Sequence, residues 1–317
     1  MTLNMSRAAA MTALAGGLLA ATAPASAQTN AATVRIGALA IDAFGEAYYG
    51  NDTGIFLANG ISPQISTLSN GATIVASVLG GDLDVGMANT VQVAGAVARN
   101  LPLQMIAPAS LYSRKDAADD LMVAKDSPFK SARDFAGATI AVSALKDFSQ
   151  LGVEAWLDGN RVSVESVHFV ELKFGEMGAA LARGTVQAAI IAEPAKTDAI
   201  RAGQIRPFAD VYLAIAPEFA TIVWFAAKSW LQSNPDTVKK LVNGIFATAR
   251  WANTHTRESG DILAKVSKMD PAVVAGMQRL YFATSNDKRF IEAPLALASR
   301  FNMLPRTVTP AEFVATP

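Results

Sequence analysis

Ser69, Asn70, Gly71 and Thr73 stand where a strand-like run, ISPQIST, gives way to a helix-like one, TIVASVLG. A helix N-terminus presents unpaired N–H groups and about half a positive charge, so it can hold an anionic oxygen. A glycine there lets a ligand approach the backbone closely. The same residues can simply cap the helix, and spacing alone leaves both roles open. SALKDFSQ, residues 143–150, reads as the matching loop of the second half of the chain. Ser143 and the N–H groups before Phe148 could hold the other side of a ligand. Lys146 could pair with a carboxylate or sulfonate, or remain a solvated loop lysine beside Asp147 as N-cap. Asn89 and Thr90 end one apolar run and Glu193 ends another. A carboxylate in a cleft needs an ammonium, an N–H donor or a protein cation. For Glu193 a substrate amine and Lys196 both qualify. Asp42, Phe44 and Glu46 follow the first strand and should occupy a further rim position of such a cleft, where the aromatic either touches a ligand or plugs the core.

Other chemistries are poorly supplied. Cysteine is absent, which removes disulfides, thiol nucleophiles and thiolate metal sites. The two histidines stand apart: His168 alternates with Val167 and Phe169 in an apolar strand, and His255 lies in the polar NTHTRE. Neither belongs to a metal-ligand set. No nucleophile elbow, P-loop, HExxH or GxGxxG occurs. The pattern therefore predicts binding without catalysis and without a metal or cofactor. Lysine plus arginine equal aspartate plus glutamate at 27 each, so no polyanion-seeking surface and no nucleic-acid partner are expected.

The elements that must position these residues are legible as a strand–helix alternation. Residues 1–27 read as an export signal: Arg7, an alanine-rich apolar run, Pro24, then Ala25-Ser26-Ala27 before Gln28. A lipid anchor would need cysteine there, so a soluble exported protein is expected, with an uncleaved membrane anchor as the rival reading; a monomer is the default. From residue 33 the runs TVRIGAL, ISPQIST, LDVGMAN and LPLQMIAPASLY alternate with helical stretches, which calls for a parallel sheet covered on both faces. Pro63 places ISPQIST at an edge. SRKDAADD, residues 113–120, is a charged crossover, after which the alternation resumes. LGGDLDVGMANT at 79–90 is echoed by LARGTVQAAIIAEP at 181–194, with Leu79, Gly81, Leu83 and Asp84 answered by Leu181, Gly184, Val186 and Gln187. One βα device is used once in each of two similar α/β lobes, 28–114 with 213–317 and 115–212. Ligands of open sheets bind beyond the strand carboxyl ends, so the two ends should face across a cleft. After residue 229 the pattern is helical, beginning with a long amphipathic helix at Asn234-Pro235.

The chain resembles the periplasmic solute-binding proteins of ABC importers, in the group that takes nitrate, sulfonates, taurine and thiamine-pyrimidine precursors. The resemblance rests on VRIGAL, GIFLANGISPQIS, SNGATIVASVLGGDLDVGMAN, LPLQMIA, DSPFKSARDFAGATIAV, ALARGTVQAAIIAEP and SNPDTVKKLV, in family order over about residues 33–304. It implies a two-lobed type II binding-protein fold on a hinge. It also implies a small-molecule ligand, and a membrane permease with its ATPase as partners; a free-standing ligand sensor for a receptor is the alternative role. Residues 69–71 match the family's ligand-contacting Ser-x-Gly loop, which favours binding there. The pyrimidine-precursor synthases of similar architecture use a histidine-bearing site and a cysteine-rich iron motif, and this chain has neither. One departure stands out: Ala192 occupies the place where the family often has tryptophan before Glu-Pro. A stacking surface would then come from Phe44, Tyr48 or Phe148.

Overall fold

The computed structural model describes residues 31–114 and 121–315. The expected export signal and most of the charged crossover lie outside them. Thirteen strands follow in chain order: β1 Ala32–Ala38, β2 Ile61–Thr67, β3 Val85–Asn89, β4 Leu103–Pro108, β5 Ser110–Ser113, β6 Leu121–Ala124, β7 Thr139–Val142. Then come β8 His168–Glu171, β9 Ala188–Ile190, β10 Ile205–Ala209, β11 Glu218–Ala220, β12 Ile222–Ala227 and β13 Tyr281–Phe282. They form two five-stranded sheets, β2-β1-β3-β12-β4 and β10-β6-β9-β7-β8, and a three-stranded sheet, β11-β5-β13.

Read from opposite edges, the two large sheets share one order. In each, the first strand of a half (β1 or β7) sits between the second (β2 or β8) and the third (β3 or β9), all parallel. An antiparallel strand follows on the far side of the third: β12 in the first sheet, β6 in the second. The expectation of wholly parallel sheets is thus corrected. β12 enters head-down because it follows β11 directly, with no helix between them to return the chain. Pro63 does lie on an edge strand, where its missing N–H costs no ladder bond.

The echo falls on β3 and β9, the third strand in both sheets, and its chemistry repeats. Asp84 accepts the Arg35 N–H at 2.8 Å while its own N–H donates to the Arg35 carbonyl at 3.0 Å. Gln187 does the same with Thr139, its Oε1 accepting the N–H and its N–H donating to the carbonyl, both at 2.9 Å. Gly81 and Gly184 precede these turns at φ +81° and +70°, a conformation that side chains resist.

Both chain passages between the large sheets run through the small one. LPLQMIAPASLY does not form one strand but divides at Ala109, its second half pairing with β11 in register Leu111↔Ala220, Tyr112↔Phe219, Ser113↔Glu218. The C-terminal helices are not strand-free, since β13 closes this ribbon against β5. The amphipathic helix ends at Ala252, and a second one runs from Thr256 to Ser267. Under the ribbon, Tyr112, Phe148, Tyr212 and Phe219 pack with ring centroids 4.9–6.3 Å apart, an arrangement worth about 1 kcal/mol per pair beyond area burial.

Candidate functional site

A cavity of about 560 Å³ lies between the two large sheets, lined from both. Four segments set its walls: residues 39–44 after β1, 68–71 after β2, 143–149 after β7 and 171–176 from the last residue of β8 onward. All follow the carboxyl ends of parallel strands, as the order of the sheets requires.

Seven residues singled out from sequence line it: Phe44, Ser69, Asn70, Gly71, Asn89, Ser143 and Phe148. Asn70 caps the Gly71–Gly80 helix, its Oδ1 accepting the Thr73 N–H at 2.8 Å. The N–H groups of Gly71 and Ala72 stay outside the intrahelical ladder. Capping and lining therefore coexist here. Gly71 has a second reason to be glycine: a Cβ would stand 2.3 Å from Oε1 of Gln92, a lining residue of the next helix. Asn89 caps the Thr90–Ala98 helix through the Val91 N–H at 2.9 Å.

The loop after β7 is filled from within. Asp147 is 1% exposed and accepts the Ser149 and Gln150 N–H groups at 2.9 and 3.2 Å. The Ser149 hydroxyl donates to it at 2.5 Å, and Ser143 Oγ donates to its other oxygen. Burial pushes the Asp147 carboxyl above its ordinary range, against the pull of those bonds. Whatever its proton state, this carboxyl occupies the helix N-terminus where an outside anion was expected.

Asp42, Thr90, Lys146 and Glu193 do not line the cavity, nor does Thr73. Asp42 lies at the centre of a buried network. It accepts Arg279 Nε and Nη2 at 3.0 and 2.8 Å, the Tyr49 hydroxyl at 2.9 Å and the Leu280 N–H at 2.9 Å. Thr90 donates its hydroxyl to the Ala220 carbonyl at 2.7 Å, fastening its helix to the ribbon where Ser110 and Thr221 also bond. Lys146 is exposed, at φ +57°. Glu193 is 3% exposed and held by Lys196 at 3.5 Å and by the Thr197 N–H and hydroxyl at 3.0 and 2.9 Å. Burial raises its carboxyl and Lys196 lowers it. Of the two partners open to Glu193, the protein's own cation is in place.

Glu46 is no rim residue either. It is fully buried, with Oε2 accepting Trp224 Nε1 at 2.7 Å and Oε1 without a hydrogen-bond partner among the described residues. Burial pushes this carboxyl up to about 8. Tyr48 donates to or accepts from Thr67 Oγ1 at 2.9 Å and does not line the cavity. His168 is exposed on the edge strand β8, and His255 stacks on Trp251 with centroids 5.1 Å apart.

Gln92, Glu171, Lys173, Phe174, Glu176 and Tyr212 line the cavity and were missed. The matching of halves explains part of the miss. Because β7 takes the place of β1, the 143–149 loop answers to 39–44 and not to 69–71, which correspond to the residues after β8. Applying the echo strand by strand would have pointed to 171–176.

Among the described residues no helix is long and apolar enough to cross a membrane. A model of the family described as NMT1/THI5 like matches residues 43–259, more than half of the chain. No curated protein matches it. The periplasmic aliphatic sulphonate binding protein SsuA from Escherichia coli is similar in structure, with a TM-score of 0.74 over 90% of this chain and 92% of that one at 17% identity. The periplasmic nitrate-binding protein NrtA from Synechocystis PCC 6803 gives a TM-score of 0.73 over 88% and 83% at 12% identity. The desulfurization enzyme DSZB gives 0.65 over 89% and 96% at 18% identity. Identities this low carry the two-lobed fold and not a ligand.

Proposed function

This chain belongs to the NMT1/THI5-like family, and we propose that it is the exported solute-binding component of an ABC import system. It captures a small organic solute with an anionic end, bare or zwitterionic, between two lobes, 28–114 with 213–317 and 115–212. It then delivers the solute, untransformed, to a membrane permease and its ATPase. The observation that carries this reading is the cavity itself, large enough for an organic molecule and walled by loops from both sheets. Sulfonate and nitrate are bound by similarly folded proteins, and each is an anion.

The mechanism is closure about the β11-β5-β13 ribbon. A solute that touches both walls only when they approach shifts an open–closed equilibrium by the difference in its affinity for the two forms. Moving that equilibrium from about 1:99 to 99:1 takes about 5.5 kcal/mol, within reach of a few charge-assisted hydrogen bonds in a dry cleft. The anionic end rests near the Gly71 helix N-terminus, among the amides of Asn70, Asn89 and Gln92. The apolar body packs on Phe44, Phe148 and Phe174. These aromatics take the place of the tryptophan that Ala192 replaces.

Calorimetry of the protein lacking residues 1–27 against taurine, alkanesulfonates, aromatic carboxylates and pyrimidines, paired with solution scattering, tests this. A solute that binds should shrink the radius of gyration. Turnover of a bound compound, or binding by every ligand class without compaction, would end the reading.

A further inference from the structure

Outside the cavity, the Phe148–Gly159 helix of the second lobe packs on the Arg289–Arg300 helix of the first. Its first turn lines the cavity through Phe148 and Ser149. At 1.5 Å of rise per residue, its last turn lies about 15 Å further along. There Arg300 Nη2 donates to Asp158 Oδ2 at 2.6 Å. Among the described residues this is the one ion pair that joins the lobes, since the others each lie within one of them. Local rules do not account for Asp158. A helix ends in about half a negative charge and favours a cation in its last turn. This helix has no basic residue there and carries an aspartate instead, so its end is complemented only from the other lobe. The Arg289–Arg300 helix has Arg300 in its own last turn. The guanidinium lies over the Phe301 ring, 5.3 Å from the centroid, which restricts where it can point. One cation thus serves two helix ends, one from each lobe.

We propose that Arg300 and Asp158 form a charged clasp between the lobes, which raises the share of the closed arrangement before any solute arrives and makes the open–closed balance sensitive to salt. The proposal rests on closure about the ribbon and names what biases it. The lobes also touch at a second place, where the helix Ala195–Arg201 packs on Pro271–Gly276, so the arrangement with the clasp made is the closed one. Both clasp side chains are well exposed, Arg300 at 60% and Asp158 at 43%. Such a pair adds little to folding and is screened by salt. That suits it to tip a balance between two folded forms without locking either. A solute resting on Phe148 and Ser149 acts on the near end of the same helix, so solute and clasp bias one element from its two ends.

The absence of cysteine lets this balance be read without a solute. Leu57→Cys on the first lobe and Ala182→Cys on the second, both at exposed positions, carry a donor and an acceptor dye on the chain lacking residues 1–27. Single-molecule energy transfer then gives the closed and open shares directly. At low salt Arg300→Glu should lower the closed-to-open ratio by about threefold or more, because a repulsion replaces an attraction. Asp158→Lys should do the same. The two together, an exchanged pair, should return the ratio to within about twofold of the parent's. Added sodium chloride should open the parent and the exchanged pair but close each single variant, an opposition that lost packing would not produce. Two populations whose ratio the single variants leave unchanged or shift towards closed, or single variants that the exchange does not rescue, overturn the clasp and leave closure standing. One population in the parent and in every variant overturns the clasp and closure about the ribbon together.

Discussion

Glu46→Gln isolates the buried carboxyl behind the cavity lip, and its effect should depend on pH in one direction. The carboxyl is fully buried against Trp224 and raised from 4.5 to about 8. Below pH 4.5 the acid is protonated in folded and unfolded chains alike, so its titration costs the fold nothing. Between 4.5 and about 8 the unfolded chain releases a proton that the folded core retains, so stability declines as pH rises. Above about 8 the folded chain releases it too, and the loss is complete. Each pH unit across that window removes about 1.4 kcal/mol, about 5 kcal/mol in all. A glutamine keeps an oxygen for Trp224 Nε1 and cannot ionise. Both side chains leave a polar atom poorly served, because Oε1 has no partner among the described residues, so the offset at pH 5 is uninformative and the slope is what matters. Urea unfolding of parent and variant at pH 5, 6, 7 and 8 gives the difference at each pH, and all other titrations cancel in it. The variant should gain on the parent by about 1 kcal/mol or more per unit from pH 5 to 8. Parallel curves, or a variant that loses ground with rising pH, would refute the burial argument.

Arg279→Ala should cost about 3–5 kcal/mol in urea unfolding, because it strands the buried Asp42 carboxylate. Arg279→Lys should recover only part, lacking the fork that reaches two positions on Asp42 and Tyr49; a loss under 1 kcal/mol for the alanine variant would show the network to be dispensable. Gly71→Ala must move the Gln92 carboxamide, whose flexible end stands 2.3 Å from the new Cβ. Its thermal midpoint should stay within the reach of about 0.5–1 kcal/mol while the affinity of a calorimetrically identified solute falls; unchanged affinity would remove Gln92 from the binding wall. Phe148→Ala opens a hole among Tyr212 and Phe219, both at 4.9 Å, and should cost about 3–5 kcal/mol in chemical unfolding. A small loss there would mean that the ring serves the ligand more than the ribbon.

Much of this protein is determined locally and so is readable in its sequence. Gly81 and Gly184 declare left-handed turns, and Asp84 and Gln187, at matching positions just before the strand, each bond the neighbouring strand. The echo therefore marks the third strand of each sheet. Asn70, Asn89 and Asp147 announce helix starts because capping depends on the next three residues alone. Tertiary structure decided what spacing cannot encode. Whether Asn70 faces a cavity, whether Glu193 meets a solute or Lys196, and whether Glu46 lies on a rim or under Trp224 depend on partners 3 to 178 residues away. The direction of β6 and β12 depends on the path between lobes. Charge on the cavity wall is likewise a property of assembly: Glu171 ends β8, Lys173 and Glu176 follow it, and only the placing of the two sheets brings them to one cavity.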